Sequence, residues 1–136
     1  QIVVKVPMIK EGIKAVKYLY NKGIKTNCTL VFSASQALLA AKAGATYVSP
    51  FIGRLDDIGE SGIDLVVQIC HIYELHGFET QVLAASIRSQ KHIIQCAAVG
   101  ADVVTTPLAP ILELLKHDLT DEGLAKFLED HAKNNS

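Results

Sequence analysis

The sequence has no tryptophan, only three cysteines and few aromatic residues. None of its apolar stretches approaches the roughly 20 residues that a membrane-spanning helix needs, and no secretory signal is visible at its amino terminus. Its 13 basic residues are balanced by 14 acidic residues and form no run or stripe. The composition therefore predicts a protein that binds neither nucleic acid nor a membrane.

The cysteines and histidines show no metal-ligand spacing. Cys28, Cys70 and Cys96 are scattered and odd in number, which is not the pattern of a disulfide framework or a zinc site. We expect them to be small buried side chains in a reducing, cytoplasmic compartment. Because His71 and His76 lack the i, i+4 spacing of a helical zinc motif, no metal is predicted. The five histidines are expected at helix surfaces or helix ends: His71, His76, His92, His117 and His131.

Short β-branched runs alternate with helical patterns along residues 1–136, which we expect to form a single domain. The five predicted strands are VVKVP, IKTNCTLVF, ATYVSPF, TQVLAAS and ADVVTT. Six helical patterns follow them, over 11–23, 33–44, 63–77, 88–100, 107–117 and 121–132. Most of these patterns end at a glycine. Ser33 with Gln36 predicts a capping box, Thr120 is the predicted N-cap of the last helix, and the KNNS tail is predicted to fray.

Strands that alternate with helices favour an α/β fold with a parallel sheet. The units fit either an open doubly wound sheet or part of a (β/α)8 barrel. A complete barrel needs roughly 200–250 residues, more than this chain supplies. No G-x-G-x-x-G turn follows any strand, so a dinucleotide-binding fold has no direct support. The residue pattern alone leaves the two architectures open.

Polar side chains interrupt the predicted strands in a regular way. Because side chains alternate along a strand, residues two apart share one side of the sheet. The groups are Lys5 in the first strand, Asn27 with Thr29 in the second, Ser49 with Phe51 in the third, and Ser86 with Arg88 in the fourth. In a barrel these groups would converge in the mouth at the carboxyl ends of the strands. In an open sheet they would lie at a crevice above the strand ends.

Lys5 has two contrasting interpretations. A structural lysine would pair with a buried carboxylate or extend its ammonium group from a strand end into water. A desolvated lysine would favour the neutral amine, which attacks a carbonyl carbon and forms a Schiff base. In that second case Thr29 is suited to hold a water for proton transfer, and Phe51 to keep the site dry.

The arginines near the strand ends suggest an anion site. Arg54, and Arg88 together with Ser86, are suited to bind a phosphate, since guanidinium groups bind phosphate oxygens bidentately. In the alternative interpretation Arg54 belongs to a solvated loop and Ser86 caps the following helix. Three acidic residues are predicted to lie in the first turn of the next helix, where they would complement its dipole: Asp56, Asp57 and Glu60.

Three runs carry a resemblance to a known family. VVKVP, KTNCTLVFSASQALLAAKAGATYVSPFIGRLDD and AASIR resemble the transaldolase family, in particular the small bacterial and archaeal subfamily that also contains fructose-6-phosphate aldolases. The resemblance covers essentially the whole chain. It implies strands four to eight of a (β/α)8 barrel. It also implies an enzyme that moves a dihydroxyacetone unit between sugar phosphates through a lysine Schiff base, with no cofactor.

The resemblance also implies roles for single residues. Lys5 matches the lysine that forms the Schiff base, Thr29 matches the threonine that positions the catalytic water, and Asn27 matches the asparagine beside it. Ser49 and Phe51 match a pair that lines the site; a tyrosine in place of Phe51 would resemble the aldolase branch. The phosphate-binding set of the family is matched by Arg54, Ser86 and Arg88.

The resemblance begins at the fourth strand of the family. Its first three βα units carry an aspartate, an asparagine and a Glu or Gln that serve acid–base chemistry, substrate and water, and these have no counterpart here. We therefore expect Lys5 on an edge strand, with another chain as a candidate source of those units. LTDEGLAKFLEDH matches a carboxy-terminal helix that often packs on a neighbouring subunit, so a homo-oligomer is expected. The alternatives are a fructose-6-phosphate aldolase and an inactive half-barrel that binds sugar phosphates or assembles subunits.

Overall fold

A computed structural model describes residues 1–135 of the chain. Over that range the elements are β1 (Val3–Pro7), α1 (Lys10–Asn21), β2 (Lys25–Val31), α2 (Ala34–Ala43), β3 (Tyr47–Pro50), α3 (Ile52–Asp57), α4 (Gly62–His76), β4 (Gln81–Ala84), α5 (Gln90–Val99), β5 (Val103–Val104), α6 (Leu108–Glu113) and α7 (Asp118–Asn134). All neighbouring strands pair in parallel, in the order β1-β2-β3-β4-β5. The α/β architecture predicted from the sequence is confirmed: βα units form an open parallel sheet of partial-barrel type.

Serine and glycine residues delimit the central helices. The hydroxyls of Ser33, Ser61 and Ser89 each accept the backbone N–H three residues ahead and so cap α2, α4 and α5. These helices end at left-handed glycines, which accept the positive φ angle without a Cβ penalty: Gly44, Gly77 and Gly100. The Ser33 half of the predicted capping box is confirmed, whereas the side chain of Gln36 accepts the N–H of Phe32, one residue before the cap, at 2.7 Å.

The core lies between one face of the sheet and the helices. Val6, Cys28 and Val48 are register partners on neighbouring strands and are all buried. They belong to one apolar cluster with Val16 of α1 and Val66 of α4. Burial of this face removes apolar area from water and is the main stabilising contribution to the sheet.

The prediction that three acidic residues lie in the first turn of a helix is wrong. The sequence pattern does not indicate α3, which is too short to show a periodicity. It begins because the N–H groups of Ile52 and Gly53 donate to the carbonyls of Ala85 and Ser86, both at 2.9 Å. The predicted first-turn acids therefore lie elsewhere: two of them end α3 and the third precedes the Ser61 cap of α4.

The last helix also differs from the prediction. α7 begins at Asp118, and Nδ1 of His117 accepts the N–H of Leu119 at 3.1 Å. Thr120 therefore lies inside the first turn and is not the N-cap. The helix continues through Asn134, so Lys133 and Asn134 of the predicted frayed tail are helical, and Ser136 lies outside the described residues.

Helix α7 is the most exposed element of the described chain. None of its residues is buried, and its large apolar side chains are between 57% and 73% exposed. These side chains are Leu119, Leu124, Phe127 and Leu128. Within residues 1–135 no helix is both long enough and apolar enough to cross a membrane.

Candidate active site

Lys5 lies on the sheet face opposite the core. Its register partner on β2 is Asn27, whose partner on β3 is Tyr47. Since Val6 and Cys28, one position further along, point into the core, this row points to the other face. Lys5 is exposed on the edge strand β1, as predicted, and Asn27 is half-buried beside it.

A hydrogen bond orders the amide next to Lys5. The hydroxyl of Ser49 donates to Oδ1 of Asn27 over 2.8 Å, from β3 to β2. Ser49 is only 2% exposed, so this bond lies in a poorly hydrated environment and is costly to leave unmade. The face that carries Lys5 therefore holds an oriented polar pair, and the predicted common side is confirmed for Lys5, Asn27 and Ser49.

Strand β2 is irregular immediately after Thr29. Leu30 has a φ of 60°, and the register with β3 shifts between Cys28 and Val31. Such a bulge inserts an unpaired residue and redirects the neighbouring side chains. Thr29, 7% exposed, therefore ends the regular part of the strand on the face of Asn27.

Phe51 and Arg54 lie together at the carboxyl end of β3. The ring of Phe51 contacts that of Phe32, with centroids 5.6 Å apart, and the Arg54 guanidinium carbon lies 5.1 Å from the centre of the Phe51 ring. This is a cation–π distance. No carboxylate within residues 1–135 forms an ion pair with Arg54, so its charge is not neutralised locally.

Ser86 and Arg88 lie beyond the end of β4, on a turn, so the prediction that they share a side within the fourth strand is wrong. Ser86 has a φ of 58°, an uncommon left-handed conformation for a residue with a side chain. Its backbone carbonyl receives the N–H of Gly53, whereas Ser89 caps α5, so the alternative interpretation of Ser86 as a helix cap is wrong. The turn brings Arg88 across Gly53 of α3.

The guanidinium of Arg88 forms a bidentate ion pair. Nη1 and Nη2 donate to the two carboxylate oxygens of Asp57 at 3.2 and 2.9 Å. Both side chains are about half exposed, so water screens the pair and its stabilising effect is small. The hydrogen bond to Asp57, with its negative charge, raises the pKa of Arg88 further above its ordinary value. Arg88 is therefore always cationic but already oriented.

A second set of contacts holds the backbone of Arg88. Its N–H donates to Nδ1 of His92 over 3.1 Å, and Nε2 of His92 lies 2.8 Å from Oδ2 of Asp56. Oδ1 of Asp56 accepts the N–H of Gly62 at 3.0 Å. Sequence reasoning missed this set because it interpreted Asp56 as a helix-start residue and His92 as a surface residue.

The carboxyl of Asp56 gives a testable pH dependence. The N–H of Gly62, opposed by partial burial and helped by His92, lowers the pKa of Asp56 below its ordinary value of 3.8. A lowered pKa contributes stability that is complete above the unfolded value and is lost as pH falls through the folded value. We expect Asp56→Asn, which keeps the side-chain shape, to lower the urea midpoint at about pH 7 but not at about pH 2. An equal loss at both pH values would contradict the electrostatic origin.

The described thiols are not suited to nucleophilic chemistry. Cys28 and Cys96 are buried, Cys70 is half-buried, and all three are free, as the sequence predicts for small core residues. Burial raises the pKa of the Cys28 and Cys96 thiols to about 11. They therefore stay protonated and unreactive near neutral pH. Among residues 1–135, no three His, Cys, Asp or Glu side chains lie together as a possible metal site.

The predicted site residues thus form two clusters. The first lies on the open face of the sheet and consists of Lys5, Asn27, Thr29 and Ser49. The second lies at the carboxyl ends of β3 and β4 and consists of Phe51, Arg54, Ser86 and Arg88. The first cluster offers an amine beside neutral hydrogen-bonding groups. The second offers cationic donors.

Comparison with known proteins identifies relatives along the whole chain. The family model described as transaldolase/fructose-6-phosphate aldolase matches residues 1–136. A "probable transaldolase" of Cytophaga hutchinsonii is 69% identical over 135 residues, which are 99% of this chain and 62% of that protein. One of Phocaeicola vulgatus is 69% identical over 134 residues, and one of Flavobacterium psychrophilum is 63% identical over 135 residues. The chain spans about 62% of the length of these curated relatives.

Solved structures agree on the fold. A mandelate oxidase mutant with a monooxide FMN adduct matches 69% of this chain and 30% of its own, with a TM-score of 0.52 and 19% identity. At that identity the likeness concerns the architecture alone.

The family match over all 136 residues and the close relatives together show that the chain belongs to the transaldolase/fructose-6-phosphate aldolase family.

Proposed function

We propose that this chain provides the imine-forming and phosphate-binding parts of a transaldolase. The reaction is the conversion of sedoheptulose 7-phosphate and glyceraldehyde 3-phosphate to erythrose 4-phosphate and fructose 6-phosphate, a step of the pentose phosphate pathway. The observation that carries the proposal is the row Lys5–Asn27 on the open sheet face, with Ser49 bonded to Asn27 at 2.8 Å. The family membership supports it.

In this mechanism Nζ of Lys5 attacks the ketose carbonyl carbon, and loss of water gives a protonated imine. Removal of a proton from the C4 hydroxyl then breaks the C3–C4 bond, and the electron pair moves into the imine. An aldose phosphate leaves, and the enamine of dihydroxyacetone stays on Lys5. Attack of this enamine on a second aldose phosphate, followed by hydrolysis, frees the product ketose. The protonated imine is the electron sink, so we propose that no cofactor takes part.

Neutral groups near Lys5 are suited to guide the proton transfers. We assign Thr29 to the water that moves protons at the reacting carbons and Asn27 to the substrate hydroxyls. Ser49 keeps the Asn27 amide in one orientation through its 2.8 Å bond. Phe51 limits access of bulk water from the side of β3.

The phosphate group of the substrate is assigned to the second cluster. Arg54 has no carboxylate partner within residues 1–135, and Arg88 is held in one orientation by Asp57. Guanidinium groups bind phosphate through paired N–H donors. The hydroxyl of Ser86 lies on the same turn and is assigned as a further donor.

Lys5 is exposed on an edge strand, and a working site needs further walls. We propose that additional βα units, from the same or another chain, cover the open face and provide the remaining acid–base groups. The exposed apolar residues of α7 support assembly into a homo-oligomer through that helix. A cytoplasmic location fits the free, buried thiols.

The experiment that tests the function is a transfer assay. The protein carrying this chain is incubated with fructose 6-phosphate and erythrose 4-phosphate, and sedoheptulose 7-phosphate is measured by mass spectrometry. We expect the product only when the acceptor is present. Release of free dihydroxyacetone without acceptor would instead indicate a fructose-6-phosphate aldolase. Binding of sugar phosphate without turnover would indicate an inactive half-barrel.

A further inference from the structure

Arg88 is held from two sides by residues without an assigned role. Asp57 binds its guanidinium, while His92 binds its backbone N–H. The His92 side chain is only 13% exposed, whereas those of Arg88 and Asp57 are 52% and 56% exposed. His92 is therefore the least exposed of these three side chains, and its ring nitrogen is a fixed acceptor for the backbone of Arg88.

The hydrogen-bond partners of His92 determine its tautomer. A backbone N–H can only donate, so Nδ1 of His92, 3.1 Å from the nitrogen of Arg88, must present its lone pair. In the neutral imidazole the proton then resides on Nε2, which donates to Oδ2 of Asp56 at 2.8 Å. Because Asp56 also accepts the N–H of Gly62, the imidazole links Arg88 to the first residue of α4.

The side chain of Arg88 is restricted as well. Two of the five guanidinium N–H groups point to Asp57, which leaves three for another anion. A Cβ atom on Gly53 would lie 2.7 Å from Nε of Arg88, so the side chain runs directly over the α3 backbone. A cation held this way loses little conformational freedom when an anion binds.

We propose that His92, as its Nε2–H tautomer, is a positioning residue that places Arg88 for the phosphate of the substrate. It does so through the Nδ1 contact to the Arg88 backbone, with Asp56 holding the ring in place. This inference rests on the proposed function for the identity of the substrate, but phosphate binding tests it without turnover.

Two substitutions separate the two ring nitrogens. His92→Asn keeps an acceptor near the position of Nδ1 and loses the contact to Asp56. His92→Gln keeps a donor toward Asp56 and loses the acceptor for the Arg88 N–H. We expect the dissociation constant for inorganic phosphate, measured by NMR titration, to rise about five-fold in His92→Gln and about two-fold or less in His92→Asn. His71→Gln, an exposed change on α4, is the matched control and should not change it.

Steady-state kinetics distinguish weaker phosphate binding from a general loss of active-site structure, because weaker binding changes KM and not kcat. With fructose 6-phosphate, His92→Gln should raise KM by the same factor as the phosphate dissociation constant and leave kcat nearly unchanged. Equal phosphate affinity in wild type and His92→Gln would overturn the inference, whatever the activity. Absence of transfer activity in the wild type, with the affinity difference intact, would overturn the proposed function only.

A measurement on the unmodified protein guards against variants that fail to fold. The 15N chemical shifts of the His92 ring distinguish the two neutral tautomers. We expect Nε2 to carry the proton at neutral pH. A proton on Nδ1 would exclude the bond to the Arg88 N–H and would overturn the inference.

Discussion

Replacing Lys5 with methionine is expected to abolish the covalent adduct that borohydride traps when the protein is incubated with fructose 6-phosphate. Borohydride adds hydride to the imine carbon and converts a reversible Schiff base into a stable secondary amine. Intact-mass measurement should show an added sugar-derived fragment on the wild-type protein and none on the variant. Methionine preserves much of the length and apolar character of the lysine stem but has no amine. Transfer activity should fall by at least about a thousandfold with the covalent route removed.

The matched control for this change is Lys25→Met. Lys25 lies on the neighbouring strand β2, on the same face of the sheet, two positions before Asn27, and is also exposed. Its removal should leave the trapped adduct intact. An adduct that persists in Lys5→Met, or that disappears equally in Lys25→Met, would assign the imine to another amine and would refute the mechanism.

Gly53→Ala is expected to damage the stability of the fold and the phosphate site together. An added Cβ would clash with the carbonyl oxygen of Ser86 and lie 2.7 Å from Nε of Arg88. The Ser86 carbonyl cannot easily move away from the new Cβ, because it accepts the backbone N–H of the same residue, Gly53, at 2.9 Å. We expect a loss of about 2–3 kcal/mol in the free energy of unfolding, as for other overpacked sites. Because Arg88 must move, phosphate affinity should fall about ten-fold or more.

Gly123→Ala provides the contrasting control. Gly123 lies inside α7, and an added Cβ there meets no atom within 4 Å. Alanine is the better helix former by about 1 kcal/mol, so this change should stabilise the protein slightly or leave it unchanged. Urea unfolding measures both variants. A Gly53→Ala protein with wild-type stability and wild-type phosphate affinity would show that α3 and the Ser86 turn are not packed as described.

The repeating architecture could be predicted from the sequence because its signals are local. Strand runs, serine caps and left-handed glycines are each encoded within a few residues, as Ser33 with Gln36 and Gly44 illustrate. The common face of Asn27 and Ser49 followed from the two-residue alternation of strands. The roles assigned to Lys5 and Thr29 stay predictions until they are measured.

The support for Arg88 could not be predicted in this way. The contacts of Asp57 with Arg88 and of Asp56 with His92 join residues more than thirty positions apart. They exist because α3 begins on hydrogen bonds to the end of β4, which depends on the strand register. Sequence periodicity carries no information about such a junction, and the prediction therefore places Asp56 and Asp57 in the wrong helix.

The sequential order of the strands has a consequence for how the chain folds. Val3 pairs with Lys25, Asn27 with Tyr47, Tyr47 with Gln81 and Leu83 with Val103, so every strand joins the one made just before it. Each pairing closes a connection of one helix, or of two between β3 and β4, and the entropic cost of loop closure grows only slowly with length. A chain emerging from the ribosome can therefore add one βα unit at a time, without waiting for a distant segment to be synthesised.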